Sequence, residues 1–195
     1  MNLPTDYIDQ LIAKRRSIYP DQYTGEVIDD GVIEQLLENA RWAPTHKLTQ
    51  PWAFTVFTGA GLQQLADFQS TLYKKVAEEQ GTFKEEKFQK LANKPLKSSH
   101  IIAIGMRRDP KQLVPEVEEV AAVAMAVQNM YLSATAYGIG CYWGSGGVTY
   151  FPEAKAFFDL GEEDQLLGFL YLGVPEKWPL KHKRAPLSEK VRWVR

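Results

Sequence analysis

The chain has 195 residues, 45% hydrophobic and 24% charged, the proportions of a globular domain long enough to bury a sizeable core. A formal net charge of −1 supplies no overall pull toward nucleic acid or an anionic membrane surface, so neither is expected as a partner. The single cysteine, Cys141, excludes an intramolecular disulfide and a Cys-rich zinc site, and is read as a small buried core residue.

At roughly 100–200 residues per domain, one domain spanning 1–195 is expected. The opening MNLPTDYIDQLIAKRRS lacks the charged-then-apolar order of a secretory signal, which makes the expected location cytoplasmic. Ile8, Leu11 and Ile12 recur at helical spacing up to the basic cluster Lys14-Arg15-Arg16. A second helix starts at Asp29-Asp30, presents Val32, Ile33, Leu36, Leu37 and Ala40 on one face, and is stopped by Pro44. WAFTVFTG reads as a strand closed by glycine, and a helix follows from about 62 to 79.

Residues 80–99 are polar and Lys-rich. They are read as a mobile excursion with a solvated charged face. HIIAIGM is a short buried-type strand, and 107–115, with two prolines, is a loop. The Ala-rich run from 116 to 137 is a long helix ended by Gly138 and Gly140. Its stretch 120–140 is interrupted by Gln128 and Asn129. That suits a helix buried from both sides, most easily in a dimer, better than a membrane span. CYWGSGG, a short helix near Pro152, the strand LLGFLYLGVP and a basic, aromatic tail complete the chain. Helices and strands mix without strict alternation, so α+β layers are favoured over a doubly wound fold. GSGG lacks the spacing of a nucleotide fingerprint. The three histidines are too scattered for a metal site; His100, just before a strand, is read as structural, and the acidic residues at 29–30 and 116–119 as helix N-terminal charges.

Three clusters carry chemistry. Arg15, Arg16 and Ser17 offer two guanidinium forks and a hydroxyl, a set that matches phosphate oxygens. The segment APTHKLTQPW packs Thr45, His46, Lys47, Thr49 and Gln50 into six residues. His182, Lys183 and Arg184 add positive charge near the C-terminus.

In this order and at these separations, RRS, APTHKLTQPW, the Ala-rich helix and GFLYLGVP resemble the short, single-domain branch of the nitroreductase family of flavoenzymes, almost end to end. The resemblance implies a central mixed or antiparallel sheet flanked by helices, in an intertwined homodimer with the long buried helix at the interface and FMN bound between subunits. It places Arg15, Arg16 and Ser17 at the FMN phosphate and ribityl chain. Thr45, His46 and Gln50 of the second subunit fall at the ring edge, and Leu48 falls where the family has Asn. Trp143, Gly144 and Ser145 fall beside the reactive face, and Arg184 near the phosphate. Residues 133–138 match the stretch that meets the nicotinamide cofactor.

The implied activity is hydride transfer from NADH or NADPH through the flavin to an electron-poor acceptor, a nitroaromatic, quinone or similar compound, by ping-pong kinetics. No protein nucleophile is required, because the cofactor carries the chemistry. Three alternatives stay open on the residues alone: the same fold with a different acceptor, such as an enone or a halogenated aromatic; a non-catalytic flavin-binding or storage protein; and a structural homodimer without cofactor.

Overall fold

The structure, a computed structural model, describes residues 4–180 and 183–195. In chain order the main elements are α1 (Thr5–Lys14), α2 (Asp30–Ala40), β1 (Trp52–Thr58), α3 (Ala60–Glu79), α4 (Glu85–Asn93), β2 (His100–Met106), α5 (Glu116–Ala136), β3 (Gly140–Gly144) and β4 (Gln165–Gly173). The strands form one antiparallel sheet in the order β1-β2-β4-β3. Every residue of β2 is buried, so both faces of the sheet must be covered. Ile102, Ile104 and Met106 pack with Ile33, Leu36 and Ala40 of α2 and Val123, Ala126, Val127 and Met130 of α5. The alternate residues Ile101 and Ala103 pack with Leu65 and Tyr73 of α3 and with Phe158. This is the period-two alternation of a strand between two helical layers.

The helix ends follow from local chemistry. The Asp29 side chain accepts from Gly31 N at 2.9 Å and caps α2. α2 ends at Ala40, four residues before Pro44. Pro44 has no N–H to offer the Ala40 carbonyl, and its ring would clash with that group, so the helical turn cannot extend. The short helix expected near Pro152 is a 3-10 helix, Pro152–Phe158. CYWGSGG contributes β3, an edge strand.

Residues 80–99 are not a featureless polar stretch. They form α4 and a 3-10 turn at Pro95–Lys97, and Phe83, Phe88 and Leu91 pack against the α3 side of the core. Along α5, the helix in the stretch weighed as a membrane span, one stripe is buried and the other leaves Val117 and Met125 exposed. No helix among the described residues is long and apolar enough to cross a membrane.

His100 is fully buried, with Nε2 on Asp30 at 2.8 Å and Nδ1 on Ser99 Oγ at 2.9 Å, which fits a structural role. The acidic start of α5 does more than complement the helix dipole. Glu116 accepts from Gln165 and Glu118 pairs with His46. Glu119 is buried against Arg108, and its other carboxylate oxygen accepts from Asp109 N at 3.0 Å. Arg108 also donates to Val114 O at 2.9 Å, so this ion pair ties the 107–115 loop to α5. Removing one partner strands a buried charge, which typically costs about 3–5 kcal/mol. Glu119→Ala is expected to lose stability in that range on chemical denaturation. A loss below about 1 kcal/mol would mean that the pair does not hold the loop.

Candidate functional site

The site forms where the N-terminal segment crosses the free edge of β3. Beyond α1, Ser17 makes a parallel bridge with Cys141, and Ile18 N donates to Cys141 O at 2.9 Å. The buried Tyr23 braces this crossing: its hydroxyl lies 2.8 Å from Ile18 O and 3.1 Å from Tyr171 O. Arg15 and Ser17 are thereby held against the strand that carries Trp143.

A cavity of about 480 Å³ opens there, within the size range of small-molecule sites. Arg15 and Ser17 line one part, Trp143 and Ser145 another, with Val120 and Tyr131 of α5, Tyr150 and Leu167 between them. Among the described residues no carboxylate lines it, and Arg15 gives it a positive end. The Arg15 guanidinium carbon lies 5.3 Å from the centroid of the Tyr131 ring, at cation–π distance.

Tyr131 is the joint of the site. Its hydroxyl accepts from Trp143 N at 2.6 Å. Burial, reinforced by Cys141, pushes its pKa up to about 12, while the Trp143 amide, Ser17 and Arg15 pull the other way. It is therefore a neutral phenol at physiological pH. Burial also raises the Cys141 thiol, so the cysteine is an inert core residue as expected.

The indole of Trp143 is fixed by a second bond, Nε1 to Leu167 O at 3.0 Å. Leu167 is available for this because the β2–β4 register shifts between Ile104 and Gly105, leaving Leu167 as the extra residue of a bulge. Gly168 beside it has φ +127°, and a Cβ there would sit 2.5 Å from Gly144 O and 2.8 Å from Trp143 Nε1. Only glycine lets β4 approach the Trp143–Ser145 segment this closely.

The remaining candidate residues lie elsewhere in this chain. Arg16 is not in the cavity lining: its Nη1 donates to Ala13 O at 2.6 Å and Arg15 O at 2.8 Å, closing the end of α1. Gly144 faces the opposite side of β3, where a Cβ would lie 2.9 Å from the Tyr142 ring and 3.4 Å from that of Tyr171. Arg184 is exposed and donates to Lys183 O; His182 lies outside the described residues. The 45–50 loop does not reach this chain's own cavity. Within it Thr45 Oγ1 accepts from Gln50 N at 3.1 Å, Lys47 Nζ donates to Leu113 O at 3.1 Å, and His46 binds Glu118. Lys47, Leu48 and Gln50 all have left-handed φ, between 46° and 54°. Leu48 and Gln50 are exposed, and the Gln50 amide makes no hydrogen bond among the described residues. Three such residues within four positions, with Thr49 between them at φ −63°, make this exposed loop a strained one.

Val120, Tyr131, Tyr150 and Leu167 also line the cavity, and the sequence motifs do not single them out. Tyr131 has one signal, a phenol in the middle of an Ala-rich helical run. Leu167 depends on a bulge and has none.

The sequence profile of the nitroreductase family matches residues 12–174. The chain belongs to the nitroreductase family. It is 32% identical over 148 residues, 74% of this chain and 76% of the relative, to the Escherichia coli K12 protein named "Putative NAD(P)H nitroreductase YdjA". Its fold is similar to a nitroreductase-like family protein from Bacillus cereus, with TM-score 0.81, 29% identity, and coverage of 100% of this chain and 98% of that one. It is also similar to the FMN-dependent nitroreductase NfnB from Mycobacterium smegmatis, solved with NADPH, at TM-score 0.75, 19% identity, and coverage of 98% and 99%; that likeness is one of fold. The α+β family architecture is present here with a wholly antiparallel four-strand sheet.

Two substitutions test the local geometry. Leu48→Asn is expected to stabilise the protein by roughly 0.5–1 kcal/mol, because Asn tolerates the left-handed region that Leu resists; a fall in the denaturation midpoint would contradict it. Gly168→Ala is expected to shift the Trp143 emission and lower stability by about 1–3 kcal/mol. Unchanged emission and stability would show that β4 does not press on this segment.

Proposed function

We propose that this nitroreductase-family chain is an FMN-dependent NAD(P)H oxidoreductase that works as a homodimer, each site completed by the 45–50 loop of a second copy. The observation that carries the reading is the cavity. It joins a guanidinium and a hydroxyl, Arg15 and Ser17, to a flat indole and a second hydroxyl, Trp143 and Ser145, with no carboxylate in its lining among the described residues. That donor set suits a ligand with an anionic end, a hydroxylated chain and a planar ring. Two further features support a dimer. The 45–50 loop displays strained, exposed polar residues outside its own chain's cavity. Trp42 and the Val117 and Met125 stripe of α5 are exposed apolar surface of the kind that marks an interaction face.

FMN bound here would accept hydride from NADH or NADPH and return it to an electron-poor acceptor. The chain's residues do the rest. Arg15 would neutralise its phosphate, and Ser17 would donate to that phosphate or to the ribityl chain. Trp143, fixed at N by Tyr131 and at Nε1 by Leu167, walls the site with its indole. Ser145 and the backbone around it would help hold the ring. The second copy's Thr45 and Gln50 would hold the polar ring edge; an amide donor to a ring carbonyl would favour added negative charge by about 1–3 kcal/mol. Tyr131, neutral with its pKa at about 12, holds position and moves no proton. The acceptor is one of the electron-poor compounds expected above.

The arginines separate this account from a generic basic patch. Arg15→Ala is expected to weaken FMN binding by about 10–100-fold, the worth of one charge-assisted hydrogen bond, whereas Arg16→Ala weakens it several-fold at most. Flavin-to-protein ratio after purification and fluorescence titration with FMN measure both. Equal flavin content in Arg15→Ala and wild type would overturn the assignment.

A further inference from the structure

Three adjacent cations, Lys14, Arg15 and Arg16, stand at the end of α1, and the structure sends each a different way. The Arg15 guanidinium lies over the Tyr131 ring and lines the cavity. Arg16 folds back on the backbone through Ala13 O and Arg15 O. The Lys14 ammonium sits 5.8 Å from the centroid of the Trp178 ring, at cation–π distance. The same indole makes a second contact: its Nε1 donates to Lys14 O at 2.9 Å. Lys14 is the last residue of α1, so this carbonyl is one of those that a helix C-terminus leaves without an intrahelical donor. Trp178 therefore caps a helix that lies 164 residues earlier in the chain.

The segment after β4 brings the indole there. Thr24 N donates to Val174 O and Glu176 N to Gln22 O, both at 2.9 Å, and Tyr23 and Pro175 form an antiparallel bridge. Residues 174–176 are thus laid against 22–24. Trp178 follows at once, half-buried against the side of the core that holds Tyr23 and Tyr171. Pro179 behind it disfavours helical backbone at Trp178 and keeps the chain from coiling away.

The chain from 14 to 24 is consequently anchored at both ends and once between: Lys14 by Trp178, Ile18 by Cys141, and 22–24 by 174–176. Arg15 and Ser17 lie between the first two anchors. With the Ile18 anchor alone, Arg15 would hang from the end of a helix that buries no residue, and each intervening residue adds two soft dihedrals. An anchor on the residue immediately before Arg15 removes most of that freedom. It also engages the Lys14 ammonium, which is absent from the cavity lining.

We propose that Trp178 is a positioning residue for the flavin site: by clamping Lys14 O it fixes the backbone from which Arg15 enters the cavity, and it acts on flavin binding through Arg15. The proposal rests on the reading of this cavity as an FMN site. Trp178 does not line the cavity, so its effect is one of preparation. A guanidinium ordered on folding does not have to be ordered on binding, and that difference raises affinity without a new contact.

Trp178→Phe keeps a ring on the core and removes the N–H. In fluorescence titration of the full-length protein it is expected to weaken FMN binding by about 2–10-fold, the worth of one neutral hydrogen bond. The deciding readout is a double-mutant cycle with Arg15→Ala. A residue that acts through Arg15 has nothing left to act on in that background, so Trp178→Phe should change FMN affinity there by less than about 2-fold. Equal losses in both backgrounds would show a general structural role and overturn the proposal, as would full FMN affinity in Trp178→Phe. Hydrogen exchange on the flavin-free proteins reads the clamp without the ligand: the amides of 14–18 should exchange several-fold faster in Trp178→Phe than in wild type, with β2 unchanged. Unchanged exchange at 14–18, or faster exchange in β2 as well, would also overturn it. A wild-type protein that takes up no FMN would overturn the flavin reading itself, and the exchange comparison would still decide whether Trp178 holds this segment.

Discussion

One backbone contact organises the candidate site: the donation from Ile18 N to Cys141 O. It turns the segment after α1 into a partial fifth strand beside β3. α1 itself buries no residue, so the positions of Arg15 and Ser17 depend on this pairing and on Tyr23, which fills the space over Gly173 and reaches back to Ile18 O. A guanidinium on a solvated helix end has many places to be. Here it has few, because the next residues are registered against the strand that carries Trp143.

The alternation of β3 then divides its neighbourhood into two. Cys141 and Trp143 point toward α5 and the cavity, whereas Tyr142 and Gly144 point toward α4. The bulge in β4 pulls the two sides together. By exposing Leu167 O to the indole and placing Gly168 under Gly144, it holds the Trp143–Ser145 segment close against β4.

Much of this was legible in the residues. Helix and strand positions followed from periodicity, with Asp29 and Pro44 bounding α2. Arg15, Ser17, Trp143 and Ser145 were candidates, and all four line one cavity. What could not be read is tertiary in origin. Arg15 and Arg16 are adjacent and chemically equal, and only the pairing of Ser17 with Cys141 decides which one faces inward. Glu119 looked like one more helix-start carboxylate until Arg108 buried it. The polar stretch 80–99 concealed α4 because its apolar residues, Phe83, Phe88 and Leu91, are widely spaced among lysines. Tyr131 and Leu167 gained their roles from a hydroxyl and a carbonyl presented at the right height, which no spacing rule encodes. The Asn expected at Leu48 has a physical reading as well: the backbone there is left-handed, a conformation in which Asn is at ease and Leu is not.

The central claim is that this cavity, completed by a second copy, holds a redox-active flavin open to a nicotinamide donor. The most direct test is the visible absorption spectrum of the purified protein during anaerobic titration with NADH and with NADPH. The account predicts flavin bands near one FMN per chain that bleach stoichiometrically with at least one donor. A protein that stays colourless after incubation with FMN, or whose bound flavin neither donor reduces, would contradict it.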